Sequence, residues 1–348
     1  MTPRERVIGV LNHEKQDVTP FTVYESFLYM CQSELELRNR GMCIVKRITS
    51  YTINYPNIVK TTRGYTDEKG RNFIETRIRT PVGELSQLDE TAGFTVWNHE
   101  KLFKTPDDYK ALLFMIKDTV VTPSYDKAEF IKNDLGEGCI VRDQIPLEPL
   151  QTLISSYMGV EESGFQWMDN RDEIFKLYEA LVDVNRRIYP IVAKGPLPIA
   201  NYGGNVIPAV VGAENFRKYF VPHYNECAEI MHKNNKLLGV HFDDNNIPIL
   251  DDIAMTDLDY IEAYDVGMNP SLKESKSKLK DKILWLNFPS AWHLHDVKTI
   301  ENETCGMLAE AGSDDVIIGI TEDVPSGKWQ VNFKAIMDGI DKFHKVNS

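Results

Sequence analysis

Short apolar runs and longer amphipathic stretches take turns along most of this chain, and their spacing predicts its elements. The first stretch reads as a helix with its start signal in place: Thr2 caps it, Pro3 takes the first helical position and Glu5 closes a capping box. Residues 17–20 end that unit, and Phe21-Thr-Val-Tyr24 reads as a short strand. Residues 60–98 have a different texture, with alternating runs such as Asn72-Phe-Ile-Glu-Thr-Arg-Ile-Arg-Thr80 punctuated by turn residues and by Pro81-Val-Gly83. That pattern predicts an antiparallel meander. Thr105-Pro-Asp-Asp108 then opens another helix.

From Gly138 onward apolar runs alternate with helical patterns. The runs are Cys139-Ile-Val-Arg-Asp143, Leu197-Pro-Ile-Ala-Asn-Tyr202, Leu237-Leu-Gly-Val-His-Phe242, Leu258-Asp-Tyr-Ile-Glu262, Ile283-Leu-Trp-Leu-Asn287 and Asp315-Val-Ile-Ile-Gly-Ile320. Between them lie helices such as 214–234, 296–310 and 329–344. This rhythm predicts a parallel sheet wrapped by helices. With at least six such units and no Gly-rich phosphate loop, an α/β fold of the (β/α)8 TIM barrel type is expected rather than a doubly wound sheet. The meander then reads as an insertion or cap ahead of the barrel. The expected organisation is one domain over 1–348, with an N-terminal elaboration and the first barrel elements to about 135 and regular βα repeats from about 136.

Composition narrows the function. A chain of 348 residues is long enough to bury roughly three quarters of its unfolded surface, so it needs no disulfide or structural metal to fold. No apolar run approaches the roughly 18–20 residues of a membrane span, and the charged first helix does not read as a secretory signal. Lys and Arg number 39 against 52 Asp and Glu, a net charge of -13; with no basic cluster, nucleic acid is not an expected partner. Five scattered cysteines without a C-x-x-C pair suit free thiols in a reducing compartment. The expectation is a cytoplasmic enzyme.

In barrels of this type the active site forms at the C-terminal ends of the strands. The polar residues ending the predicted strands are Asp143, Tyr202, His241 with Asp243, Glu262, Asn287 and, just past the last strand, Glu322. His241-Phe-Asp243 is the sharpest feature: residues two apart on a strand point the same way, and an imidazole with one or two carboxylates is how a catalytic zinc is commonly held. The same pair would serve equally as a hydrogen-bonded loop anchor. Glu262, ending a buried run, needs a partner or must go neutral; a salt bridge to a nearby Lys or Arg would meet that need. Glu322 also suits a helix start. Arg142 and Asp143 would bind a substrate carboxylate or pair with each other. His293-Leu-His295 precedes the expected N-cap Asp296 and reads as a loop, and no cysteine stands at a strand end.

Several segments together resemble the uroporphyrinogen decarboxylase-like superfamily: Met1-Thr-Pro-Arg-Glu-Arg-Val-Ile-Gly-Val-Leu-Asn-His13, Gly239-Val-His-Phe-Asp-Asp244, Asp259-Tyr-Ile-Glu-Ala-Tyr264 and Asn332-Phe-Lys-Ala-Ile336. The superfamily holds decarboxylases and zinc-dependent corrinoid methyltransferases on a distorted (β/α)8 barrel. The decarboxylases' Arg-Gln-Ala-Gly-Arg-type motif is missing; after Pro20 the chain reads Phe-Thr-Val-Tyr-Glu-Ser-Phe. The branch that methylates coenzyme M carries His-x-Cys and a second Cys before the last helix. Here those slots read His241-Phe-Asp243 and Glu322, so both thiolates are replaced by harder carboxylates that suit an oxygen ligand.

The resemblance therefore implies the substrate-side methyltransferase of an O-demethylase system, acting on a methyl ether such as a methoxylated aromatic. It implies His241 and Glu322 as zinc ligands, with Asp243 and Glu262 competing for the third place and the other orienting the substrate. Tyr24, Tyr202 and Trp292 would line an aromatic pocket, with Asn287 contacting substrate. The chain has no Asp-x-His-x-x-Gly signature, which implies that cobalamin arrives on a separate corrinoid protein docking over the barrel mouth; a homodimer is also compatible. The competing readings are a metal-independent lyase on the same scaffold, which would need a cationic pocket that the sequence does not reveal, and a non-catalytic ligand-binding barrel.

Overall fold

The computed structural model describes residues 1–92 and 95–347. Eight parallel strands close a barrel in simple chain order: β1 (Phe21–Tyr24), β2 (Cys43–Ile48), β3 (Cys139–Ile145), β4 (Ile199–Tyr202), β5 (Leu237–His241), β6 (Tyr260–Asp265), β7 (Ile283–Asn287) and β8 (Val316–Ile320). Closure comes from β8 pairing with β1, Phe21 opposite Ile318. The expected (β/α)8 barrel is thus the observed one. Its strands are short Val-, Ile- and Leu-rich runs because helices cover one face and the barrel interior fills the other. All five residues of β7 and of β8 are buried.

The first helix, Pro3–Leu11, carries its predicted capping box, with the Thr2 amide donating to Glu5 Oε2 at 2.8 Å. Its Val7, Val10 and Leu11 share one apolar cluster with Cys43, Ile140, Ile199, Ile283, Trp285 and Ile317 of the strands, and Arg4 Nε donates to Cys139 O at 2.7 Å. The helix plugs the N-terminal end of the barrel, which leaves the C-terminal end for chemistry. Gly239 is obligatory in β5, since a Cβ there would lie 2.1 Å from the Tyr260 ring.

Three expectations are corrected. Strand β2 was not foreseen: only Cys43-Ile-Val45 is apolar before Lys46-Arg47, too short a run to stand out. The meander is real, with antiparallel strands Val59–Thr66, Asn72–Thr80, Gly83–Ala92 and Thr95–Glu100, but it follows β1 and β2 instead of preceding the barrel. The predicted helix 214–234 is two helices, Ala213–Tyr219 and Val221–His232, breaking at Phe220 before Pro222. Asp296 caps Val297–Ala311 through the Lys298 and Thr299 amides, as expected.

The chain divides into two compact units. The first (Met1–Ser50, Ser124–Pro146, Val192–Ser348) contains the barrel. The second (Tyr51–Pro123, Leu147–Ile191) contains the meander, a two-stranded sheet of Tyr51–Asn54 with Val120–Pro123, and most of the helix Arg171–Lys194. Among the described residues no helix is long and apolar enough to cross a membrane.

Candidate metal and substrate site

The site is built at the C-terminal ends of β5 and β8. His241 ends β5, and Phe242 behind it is fully buried against the rings of Phe216 and Tyr224. With Phe242 anchored outward, His241 and Asp243 both line a cavity of about 340 Å³ at the barrel mouth. On the other side, Asn287 at the end of β7 accepts hydrogen bonds from the Thr321 amide (3.3 Å) and hydroxyl (2.8 Å). That fixes Thr321 just past β8 and sets Glu322 at the same cavity. One ligand atom each from His241, Asp243 and Glu322 lie within 4.8 Å of one another.

The imidazole of His241 is held from behind. Its Nδ1 lies 3.2 Å from Glu262 Oε2 and 3.2 Å from the Tyr24 hydroxyl. A carboxylate only accepts, so Nδ1 carries a hydrogen and Nε2 is the nitrogen that faces the cavity. Glu262 is completely buried, its other oxygen ion-paired with the buried Arg142, and Asn201 Nδ2 donates to its Oε2 at 2.6 Å. Asn201 in turn accepts from the Tyr260 hydroxyl at 2.6 Å. Burial alone would raise the Glu262 carboxyl, but Arg142 and His241 outweigh it and hold it well below the usual carboxylate range.

On the cavity side, His241 Nε2 stands 3.4 Å from Asp243 Oδ2. Two acceptors so placed need a proton or a cation between them. Without a cation the proton wins: burial would push the imidazole down, yet hydrogen bonds to Asp243 and Glu262 hold it up at about 9. With bonds of about 2.0–2.1 Å, tetrahedral zinc ligands sit about 3.3–3.4 Å apart, so the same spacing fits a metal. Burial and the Asp243 charge push the Glu322 carboxyl up. One imidazole and two carboxylates converging from two strand ends therefore fit a divalent ion.

The backbone around this cluster is specialised. Gly203, Gly204 and Asn205 all have positive φ (51°, 127° and 54°), so the loop after β4 folds back onto β5. The Asn205 amide donates to His241 O at 3.0 Å and its side chain to Asp243 Oδ2 at 3.2 Å. A Cβ on Gly204 would sit 2.7 Å from His241 Cβ. Just after Glu262, Ala263 takes φ 57° where the β6–β7 register slips, a bulge in the strand that carries the buried carboxylate.

The other expected site residues are placed as follows. Tyr24 lines the cavity. Glu262 does not join the ligand cluster, because its oxygens are committed to Arg142, Asn201 and His241. Tyr202 is buried edge-on against Tyr224, ring centroids 5.5 Å apart, away from the cavity lining. Trp292 packs edge-on against Phe288 at 5.5 Å, also outside it. Asn287 is buried and holds Thr321 instead of contacting the cavity. Asp143 does not pair with Arg142; it accepts from the amides of Ser50 (3.1 Å) and Gln144 (2.9 Å) and from the Ser50 hydroxyl. His293 is buried beside Phe288 and Phe333, outside the cavity lining. Among the described residues no cysteine joins the ligand cluster.

Sequence reading missed Phe27, Arg47, Gln144, Asn201 and Asn205 in the lining. Arg47 went unseen with β2; Arg142 was seen without its Glu262 partner. The two arginines are register partners on β2 and β3, so the cavity has a cationic side that the sequence did not reveal. Asn201 is one position before the strand end that drew attention, and its role depends on Tyr260 and Glu262, which only the fold brings to it.

No family model matches this sequence, and no curated protein matches it. Among solved structures, a methyltransferase from Methanosarcina mazei is similar over 99% of this chain and 99% of its own, at 15% identity and a TM-score of 0.57. A B12-independent methionine synthase from a Shewanella species covers 90% of this chain and 86% of its own at 9% identity, TM-score 0.47. A sugar phosphate isomerase/epimerase from Parabacteroides distasonis covers 94% of each chain at 12% identity, TM-score 0.39. At such identities the first likeness establishes the fold, and the other two are too distant to bear on function.

Proposed function

We propose that this chain is a zinc-dependent methyltransferase that takes a methyl group from a methyl ether, typically a methoxylated aromatic, and passes it to the cob(I)alamin of a separate corrinoid protein. The observation that carries this reading is the convergence of His241 Nε2, Asp243 and Glu322 on one point of a cavity at the C-terminal barrel mouth. The full-length fold likeness to a methyltransferase is consistent with it. His241, Asp243 and Glu322 would hold the ion, three ligands of the hard type that leave room for an oxygen. Zinc held there supplies Lewis acidity toward the ether oxygen, which lowers the basicity of the leaving phenolate.

The chain's own groups supply the rest. Glu262 holds the Nδ1 hydrogen of His241 and keeps Nε2 available as a ligand. Asn205 holds Asp243, and Asn287 holds the Thr321–Glu322 corner. Tyr24 and Phe27, with nearly parallel stacked rings (8°) whose centroids are 6.3 Å apart, line the same cavity. In the transfer the O–CH3 bond breaks with its electron pair left on oxygen, and the methyl carbon bonds to cobalt using the pair that Co(I) brings. The phenolate leaves and takes a proton from water.

The test is purified protein with zinc, free cob(I)alamin as acceptor and 4-methoxybenzoate as donor, followed by the conversion of cob(I)alamin to methylcobalamin absorption. Metal-dependent conversion that Glu322→Ala abolishes is expected. No conversion by zinc-loaded protein with this donor or with 1,2-dimethoxybenzene would overturn the proposal.

A further inference from the structure

Two helices of the second unit, Tyr109–Lys117 and Val160–Asp169, meet on their inner sides, where the Tyr109 hydroxyl donates to Gln166 Oε1 at 2.8 Å. Their outer sides are complementary. On the first, Lys110, Leu113, Phe114 and Lys117 follow the three- and four-residue spacing that sets side chains in one row, and with Val82 they line a surface groove of about 470 Å³. The Asp118 carboxylate at its edge is taken up by the Asn57 amide (2.8 Å) and side chain (2.7 Å). Neither lysine has an ion-pair or hydrogen-bond partner among the described residues. The groove is an apolar floor between two cations about 10 Å apart along the helix. On the second helix the fully buried residues are the polar Ser163 and Gln166, while Phe165 is 54% and Met168 82% exposed. Glu161 and Asp169, also without partners among the described residues, bracket that apolar pair about 12 Å apart. A helix that buries its polar side and exposes its apolar side is unfinished in a single chain.

We infer that the two faces meet across two copies of this chain: the Val160–Asp169 helix of one copy lies in the Lys110–Lys117 groove of the other, with Phe165 and Met168 over Leu113 and Phe114 and the two acids against the two lysines. Each chain carries both halves on one unit, so a two-fold axis lets both contacts form at once, the isologous arrangement of most dimers. The charges select the partner and set the register, and the apolar centre between them is the part whose burial holds the pair. This contact is independent of the metal site at the barrel mouth.

Sedimentation velocity of the full-length chain and of two charge-reversed double variants tests this. The parent should form a species of twice the 39.9 kDa chain mass as its concentration rises. Lys110→Glu with Lys117→Glu sets acids against acids, and Glu161→Lys with Asp169→Lys sets lysines against lysines; each double variant alone should dimerise about 100-fold more weakly. Mixed in equal amounts they should dimerise again, because every groove then meets a helix of opposite charge. Damage to the fold by either pair of substitutions would not be repaired by mixing. Thermal unfolding checks that each variant is folded. If one is not, Met168→Glu, which carries a charge into the apolar centre from an exposed position, should weaken the dimer by about the same factor. A parent that stays monomeric, a dimer that the folded variants leave intact, or two dissociated variants that stay apart on mixing would overturn the inference.

Discussion

Glu262 shows how a residue can be indispensable to a site without touching what the site binds. It balances Arg142, receives the His241 Nδ1 hydrogen and accepts from Asn201, all inside the barrel. Glu262→Gln leaves the Arg142 guanidinium buried without its counter-charge, a loss of about 3–5 kcal/mol for breaking a buried pair. Urea unfolding should show that loss, and zinc affinity should fall about 10- to 100-fold because the ligand imidazole loses its orienting partner. Equal stability of variant and parent would show that the pair is not what holds this interior together. At this scale the sequence was legible where spacing alone carries information: His241 and Asp243 two apart, Glu322 past the last strand. It was silent where a residue's meaning lies across the barrel. Whether Glu262 is a metal ligand or the support of one depends on Arg142 and Asn201, which lie 120 and 61 positions away.

Among the elements, the loop Gly203-Gly204-Asn205 adjoins the site, and the segment after β7 carries a buried imidazole. Gly204→Ala asks for a side chain at φ 127° and places its Cβ 2.7 Å from His241 Cβ, so the loop or His241 must move. The variant should lose about 1–3 kcal/mol by strain and bind zinc more weakly, read by denaturant midpoint and metal titration together; unchanged affinity would show that the loop does not clamp His241. In the segment after β7, burial holds His293 down at about 4, against about 6.5 for an ordinary imidazole. The unfolded chain therefore takes up this proton first as pH falls. Its contribution to stability is complete above about pH 6.5 and is lost progressively down to about pH 4, a change of up to about 3 kcal/mol. Urea midpoints at pH 7 and pH 4.5 should differ less for His293→Gln than for the parent; an identical difference would remove His293 as a cause. Element prediction succeeded for β3 to β8, whose apolar runs are bounded by polar turns. It failed for β2, where Lys46 and Arg47 enter the strand itself, Arg47 at the cavity end of the barrel.

For the whole molecule, alternation of strand and helix was enough to name a (β/α)8 barrel, and the closed eight-stranded order bears that out. Position in the chain was less legible than type: the meander's turn-rich alternation identified it as antiparallel, yet nothing local in residues 60–98 says that two barrel strands precede it. Of the polar residues at the strand ends, the barrel brings His241, Asp243 and Glu322 to one cavity, while Asp143, Tyr202, Glu262 and Asn287 pack or brace. A fold held by a continuous apolar interior and plugged by its first helix does not need an ion for folding.

A metal ion held by His241, Asp243 and Glu322 is the centre of the proposed chemistry. Elemental analysis of the purified protein beside its Glu322→Ala variant tests that directly. About one zinc per chain is expected in the parent and little in a variant that still unfolds cooperatively. Parent protein that stays empty after incubation with zinc, or a variant that keeps its full complement, would contradict it.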